Sequence, residues 1–165
     1  MTSPSLFKGL LPALFSFLML LVPPVSAPAA AEGISIHDAW ARASVGTSRP
    51  SAAYLLIRNR GGTDDALIAA RADTVSARVE IHESLMDDGA MIMRQRARVV
   101  VPAGGEVVLK PRGLHIMLLA LKQPLKKGAS FELRLTFEKQ GTITVPVRIE
   151  SIGHGGGGMH KKSGG

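Results

Sequence analysis

A chain of 165 residues, 45% of them hydrophobic, is long enough for one domain with one core. It contains no cysteine, which excludes disulfides and any thiolate metal ligand. Lys and Arg outnumber Asp and Glu by 20 to 13, but one Trp and one Tyr give little stacking surface, so nucleic acid is not the expected partner. Attraction to an acidic partner or an anionic surface fits the charge better, and so does simple solubility.

The N-terminus reads as an export signal. Lys8 precedes an apolar run from Gly9 to Val22, interrupted mainly by Pro12 and Ser16. Small residues follow at Val25-Ser26-Ala27 and Ala29-Ala30-Ala31. A charged start, an apolar stretch and an A-x-A zone mark a cleaved secretory signal over residues 1–31. Cleavage after Ala31 leaves Glu32 first; cleavage after Ala29 is the alternative. The run falls short of the roughly 20 residues that span a bilayer, so no transmembrane segment is expected in the mature protein. Without Lys8 the formal charge drops from +7 to +6. With no cysteine to accept a lipid, a soluble, monomeric, periplasmic protein is expected.

From Ile34 onward the chain reads as short strands. Ile34–Ala43 carries Trp40, and Ala52–Arg58 alternates, with Tyr54, Leu56 and Arg58 opposite Leu55 and Ile57. A turn cluster, Asn59 to Asp65, precedes a strand at Ala66–Arg71. Ser76–His82 places Val79 and Ile81 on one side and Glu80 and His82 on the other. Asp87-Asp88-Gly89 signals a turn into Ala90–Val100. Short strands follow at Glu106–Leu109 and Leu114–Leu121. Phe131, Leu133, Leu135 and Phe137 then share one face. Ile143, Val145, Val147 and Ile149 alternate with polar residues, and Pro146 suggests an edge strand. About nine strands and no long amphipathic helix predict an all-β sandwich over residues 32–152. Residues 153–165 are mostly glycine and are expected to form a flexible tail.

Four soft ligands punctuate these strands: His82, Met93, His115 and Met117, spaced H-x10-M-x21-H-x-M. His115 and Met117 are two apart and so share a strand face. His82 and Met93 lie on either side of the Asp-Asp-Gly turn. An irregular loop from Glu83 to Gly89 would bring them near each other, at one end of the sandwich. Thioether and imidazole donors suit Cu(I), and the lack of a carboxylate disfavours calcium and magnesium. Taken singly, each methionine reads more readily as a packing residue than as a ligand, Met86 and Met91 included. The repetition of His and Met across two strand pairs favours a metal site.

The segments Ile81-His82-Glu83, Met86-Asp87-Asp88-Gly89 and Met91-Ile92-Met93-Arg94 resemble the periplasmic copper chaperones called PCuAC. So do Val101 to Gly105, Leu109 to Leu118, Leu121 to Leu125 and Ala39-Trp40-Ala41-Arg42. The resemblance covers about Ile34 to Glu150. It implies a cupredoxin-like β-sandwich with Cu(I) on His82, Met93, His115 and Met117. It also implies copper delivery to the copper centre of cytochrome c oxidase, on its subunit II, directly or through a Sco-type thiol protein. Ser84 departs from the family, since many relatives carry a further methionine there. Tails containing His and Met also occur in the family, so His154, Met159 and His160 form a candidate second site, with imidazoles that suit Cu(II).

Catalysis has little support. Asp87 and Asp88 read as turn residues, and Ser51 and Ser84 lack any nucleophile pattern. The remaining alternatives are a copper buffer or resistance protein without a dedicated acceptor, and a structural adhesion-type sandwich that binds no Cu(I).

Overall fold

The computed structural model describes residues 33–154. The expected signal segment and the tail beyond His154 lie outside the described residues. Ten strands follow one another: β1 (Ile34–Arg42), β2 (Ser51–Asn59), β3 (Asp65–Arg71), β4 (Ser76–Asp87), β5 (Ala90–Gln95), β6 (Val99–Val101), β7 (Glu106–Leu109), β8 (Leu114–Leu121), β9 (Ser130–Phe137) and β10 (Gly141–Glu150). No helix occurs among the described residues.

Side-chain alternation explains the strands. In β9, Phe131, Leu133, Leu135 and Phe137 are buried while Ser130, Glu132 and Arg134 are exposed. Full burial of such a side chain contributes about 1.5–3 kcal/mol, which fixes the face that points inward. The strands form one hydrogen-bonded path, β5-β4-β8-β2-β1-β10-β9-β3-β6, with β7 also paired to β2. The path folds over on itself. Ile81, Ile116 and Leu55 from one half join Leu67, Leu133 and Phe137 from the other in one buried cluster. The fold is the all-β sandwich that the strand pattern predicts.

Two strand assignments differ from the sequence reading. The stretch Ala90–Val100 is not one strand: β5 pairs with β4 at one end of the path, and β6 pairs with β3 at the other. The reason is parity. Met91, Met93, Val99 and Val101 would share a face in a continuous strand. The methionines are exposed and Val99 and Val101 are buried, so the chain must break between them. Pro146 is not on an edge strand either, because β10 lies between β1 and β9. Pairing with β1 begins only at Arg148, so the proline sits where β10 has one neighbour.

A buried carboxylate anchors the start of β3. Asp65 accepts hydrogen bonds from the amides of Ala66 (2.7 Å), Lys139 (2.9 Å) and Gln140 (2.9 Å), tying β3 to the turn after β9. Burial pushes its pKa up, but the three amides outweigh burial and hold it below the usual carboxylate range. A folded pKa below the unfolded one contributes stability above about pH 4, which is lost as pH falls through the folded value. Asp65→Asn presents an amide donor where one oxygen accepted. It should lower the unfolding free energy by about 1–3 kcal/mol at pH 7, read by urea denaturation, with a smaller penalty near pH 3.

Candidate metal centre

Strand register brings the four residues to one face. In the β4–β8 pair, His82 stands opposite His115 and Glu80 opposite Met117. In the β4–β5 pair, Met93 stands opposite Ser84 and Met91 opposite Met86. Cross-strand partners share a face, as do residues two apart. His82, Met93, His115 and Met117 therefore project together. Ile81, Ile116 and Ala53 project the other way, into the core. The site lies on the outward face of the β5–β4–β8 flank, near the start of β8.

The hairpin is more regular than the sequence suggests. Glu83 to Asp87 continue β4, and Asp88 and Gly89 alone make the turn, with φ of 46° and 80°. Positive φ at both central residues is the geometry of a two-residue hairpin turn, which Asp-Gly adopts readily. Leu85 and Ile92, opposite each other and half-buried, give the extended strands an apolar contact.

Hydrogen bonds select one nitrogen of each imidazole. His115 Nδ1 donates to the Gly113 carbonyl at 2.8 Å, and that oxygen also accepts the Ser84 amide at 3.1 Å. The lone pair of His115 is thereby left on Nε2. His82 Nε2 donates to Glu80 Oε2 at 2.8 Å, which leaves the lone pair on Nδ1. That Nδ1 is enclosed and has no hydrogen-bond partner. An imine nitrogen buried without a donor is costly, and a metal ion satisfies it. A carboxylate on the far nitrogen is the usual support of a ligating histidine. The two ring centres are 6.1 Å apart, tilted by 44°.

Exposure is graded across the set. His115 is 5% exposed, Met117 is half-buried and Met93 is 59% exposed. Met93, His115 and Met117 line a cleft of about 1180 Å³ between this face and the segment from Ala43 to Pro50. Arg42, Arg49 and Arg112 also line it, with no carboxylate among the lining residues. No three His, Asp or Glu side chains among the described residues converge to hold a metal. The soft donors that this face offers beside His82 and His115 are the thioethers of Met93 and Met117.

Of the three tail residues, His154 alone falls within the described residues. Met159 and His160 lie outside the described residues. His154 rests edge-on against Trp40, ring centres 4.6 Å apart, on β1 and separated from β8 by β2. The structure does not bring it to the other four. Glu80 and the Gly113 carbonyl are the contributors that the sequence reading gave no role. Glu-x-His on a strand was a usable signal for Glu80, since two-residue spacing places both on one face. The carbonyl of Gly113 had no such signal.

Residues 34–149 match the family described as "Putative lipoprotein LpqE-like". A protein from Leifsonia xyli subsp. xyli, "Putative lipoprotein Lxx21020", is 31% identical over 123 residues, 74% of this chain and 72% of that protein. The chain belongs to the LpqE-like family. Among solved structures, the copper-bound PCuAC domain from PmoF2 matches with a TM-score of 0.62 at 24% identity, covering 74% of this chain and 97% of that domain. The apo PCuAC domain from PmoF1 matches with a TM-score of 0.61, also at 24% identity, covering 74% of this chain and 98% of that domain. These likenesses establish a shared fold.

Burial lowers the pKa of His115; the Gly113 hydrogen bond opposes this, and His82 and Arg42 add to the lowering. A histidine with a folded pKa below its unfolded value of about 6.5 stabilises the fold above that pH. This stability is lost as pH falls from about 6.5 through the folded value. The metal-free protein should therefore lose stability between pH 7.5 and 5.5, measured by urea denaturation. His115→Gln should flatten that dependence, and an unchanged slope in the variant would assign the loss to other groups.

Proposed function

We propose that the protein is an exported copper chaperone. It holds Cu(I) between His82, Met93, His115 and Met117 and passes it to the copper centre of cytochrome c oxidase, directly or through a Sco-type thiol protein. The observation that carries this reading is the convergence of two imidazoles, each left with one free lone pair, and two thioethers on one sheet face. The PmoF2 domain that shares the fold is named as copper-bound, which supports the same cargo here.

The geometry suits an ion that must be held and then released. With metal–nitrogen bonds of about 2 Å, two imidazoles on one ion place their ring centres up to roughly 6.4 Å apart. The observed 6.1 Å lies near that linear limit, so the rings draw together by roughly an ångström for a four-coordinate ion. Glu80 and Gly113 fix the rings beforehand, so little ordering is needed on binding. The thioethers carry no proton, so binding Cu(I) releases none from them. Met93 stands at the exposed side of the set, open to an incoming ligand. A thiolate acceptor offers softer donors and can displace the ligands one at a time. The arginines along the cleft favour an acceptor with an anionic surface, which supports delivery over passive buffering.

An anaerobic Cu(I) titration against a chromophoric chelator tests the reading. One equivalent should bind more tightly than about nanomolar, near −12 kcal/mol. Met93→Ala should weaken binding about tenfold or more while changing fold stability by less than about 0.5 kcal/mol, because Met93 is exposed. Met117→Ala should weaken it similarly, and unchanged affinity in both variants would sink the four-ligand site. Glu80→Ala, which removes the acceptor, should cost about 10–100-fold in affinity by freeing the His82 ring.

A further inference from the structure

Three methionines cluster on the outward face of the β4–β5 hairpin. Met86 and Met91 are direct cross-strand partners, and Met93 lies two residues beyond Met91 on the same face. Opposed pairs of this kind hold their Cβ atoms about 4.5–5.5 Å apart. Alternate residues along a strand are about 6.5 Å apart. Three sulfur atoms on flexible stems therefore lie within reach of one ion.

Packing does not account for them. Met86 is 67% exposed, Met91 53% and Met93 59%. The opposite face of the hairpin, with Leu85 and Ile92, already supplies its apolar contact. A methionine that fills no gap gives no packing stability. Met91 also lines the cleft that holds Met93, His115 and Met117. Exposure falls from these thioethers through the His82 side chain, at 18%, to His115, at 5%. Asp87 lies on the other face of the hairpin, paired with Arg94 at 3.4 Å.

We infer that Met86 and Met91, together with Met93, form an outer thioether site for Cu(I), through which the ion reaches and leaves the two histidines. This rests on the copper-chaperone reading above. Met93 belongs to both sites and passes the ion between them by exchange of neutral ligands, with no proton or electron transferred. The outer site binds more weakly than the inner one, because it lacks imidazole and its donors are open to water.

The test follows the purified protein by NMR of its ¹³C-labelled methionine methyls during anaerobic Cu(I) addition, alongside the volume-conserving double variant Met86→Leu/Met91→Leu. Up to one equivalent, the Met93 and Met117 methyls should shift. Beyond one equivalent, those of Met86 and Met91 should shift as well. The double variant should keep its first-equivalent affinity within about threefold yet transfer Cu(I) to a dithiol chelator about tenfold more slowly, since the change lies in the exchange path and not in the bound state. Two results overturn the inference and leave the chaperone reading standing: Met86 and Met91 methyls that stay fixed while Met93 and Met117 respond, or wild-type transfer by the double variant. If no methyl shifts, both readings fall together.

Discussion

The pairing of β4 with β8 sets His82 against His115, and in the same register sets Ile81 against Ile116. The two outcomes cannot be separated. A slip of β4 by one residue would turn Ile81 to water and His82 into the core, while β8 stayed held by β2. The hydrophobic demand for a buried Ile81 and Ile116 therefore fixes the composition of the outward face. Met117 and Glu80 follow from the same register, and Met93 follows from the β4–β5 register one strand further out. The composition of the outward face is thus specified by core packing, while the turn that aims His115 holds Arg112 in the left-handed region at a φ of 64°.

Around that register the chain divides rigidity from access. The histidines are held by short hydrogen bonds to Glu80 and Gly113, groups on the same strand or in the adjoining turn. Met93 is held only by its backbone, and its side chain is largely exposed. The proposed copper carrier would need both properties, because fixed donors give affinity and an open donor gives a route for exchange. The absence of cysteine sharpens this arrangement. A thiolate ligand would raise affinity but would narrow the gradient toward a thiol acceptor.

Much of this was legible in the sequence where alternation was strict. The run Phe131-x-Leu-x-Leu-x-Phe137 and the His115-x-Met117 pair need only period two to be placed correctly. The break between β5 and β6 was not legible, because Met91, Met93, Val99 and Val101 keep one parity while the fold requires two faces. The full length of β4 was missed because Glu83 to Asp87 is polar enough to read as loop, although Leu85 pairs with Ile92 beneath it. Pro146 misled because partial pairing within a central strand has no mark in sequence. The bond from His115 to a backbone carbonyl depends on turn geometry at Arg112, with φ of 64°, and that cannot be read from residue types.

The two-residue turn at Asp88-Gly89 carries a constraint on length more than on identity. With no slack between β4 and β5, the hairpin works like a fixed gear ratio: each residue of one strand meshes with one residue of the other. Inserting a single residue there must either be absorbed by a longer, bulged turn or be carried into β5, where it would turn Met91 and Met93 inward and Ile92 outward at once. Substitutions at the tip change only how readily the turn closes. Variation in this segment is therefore expected as exchange of turn residues and not as insertion or deletion.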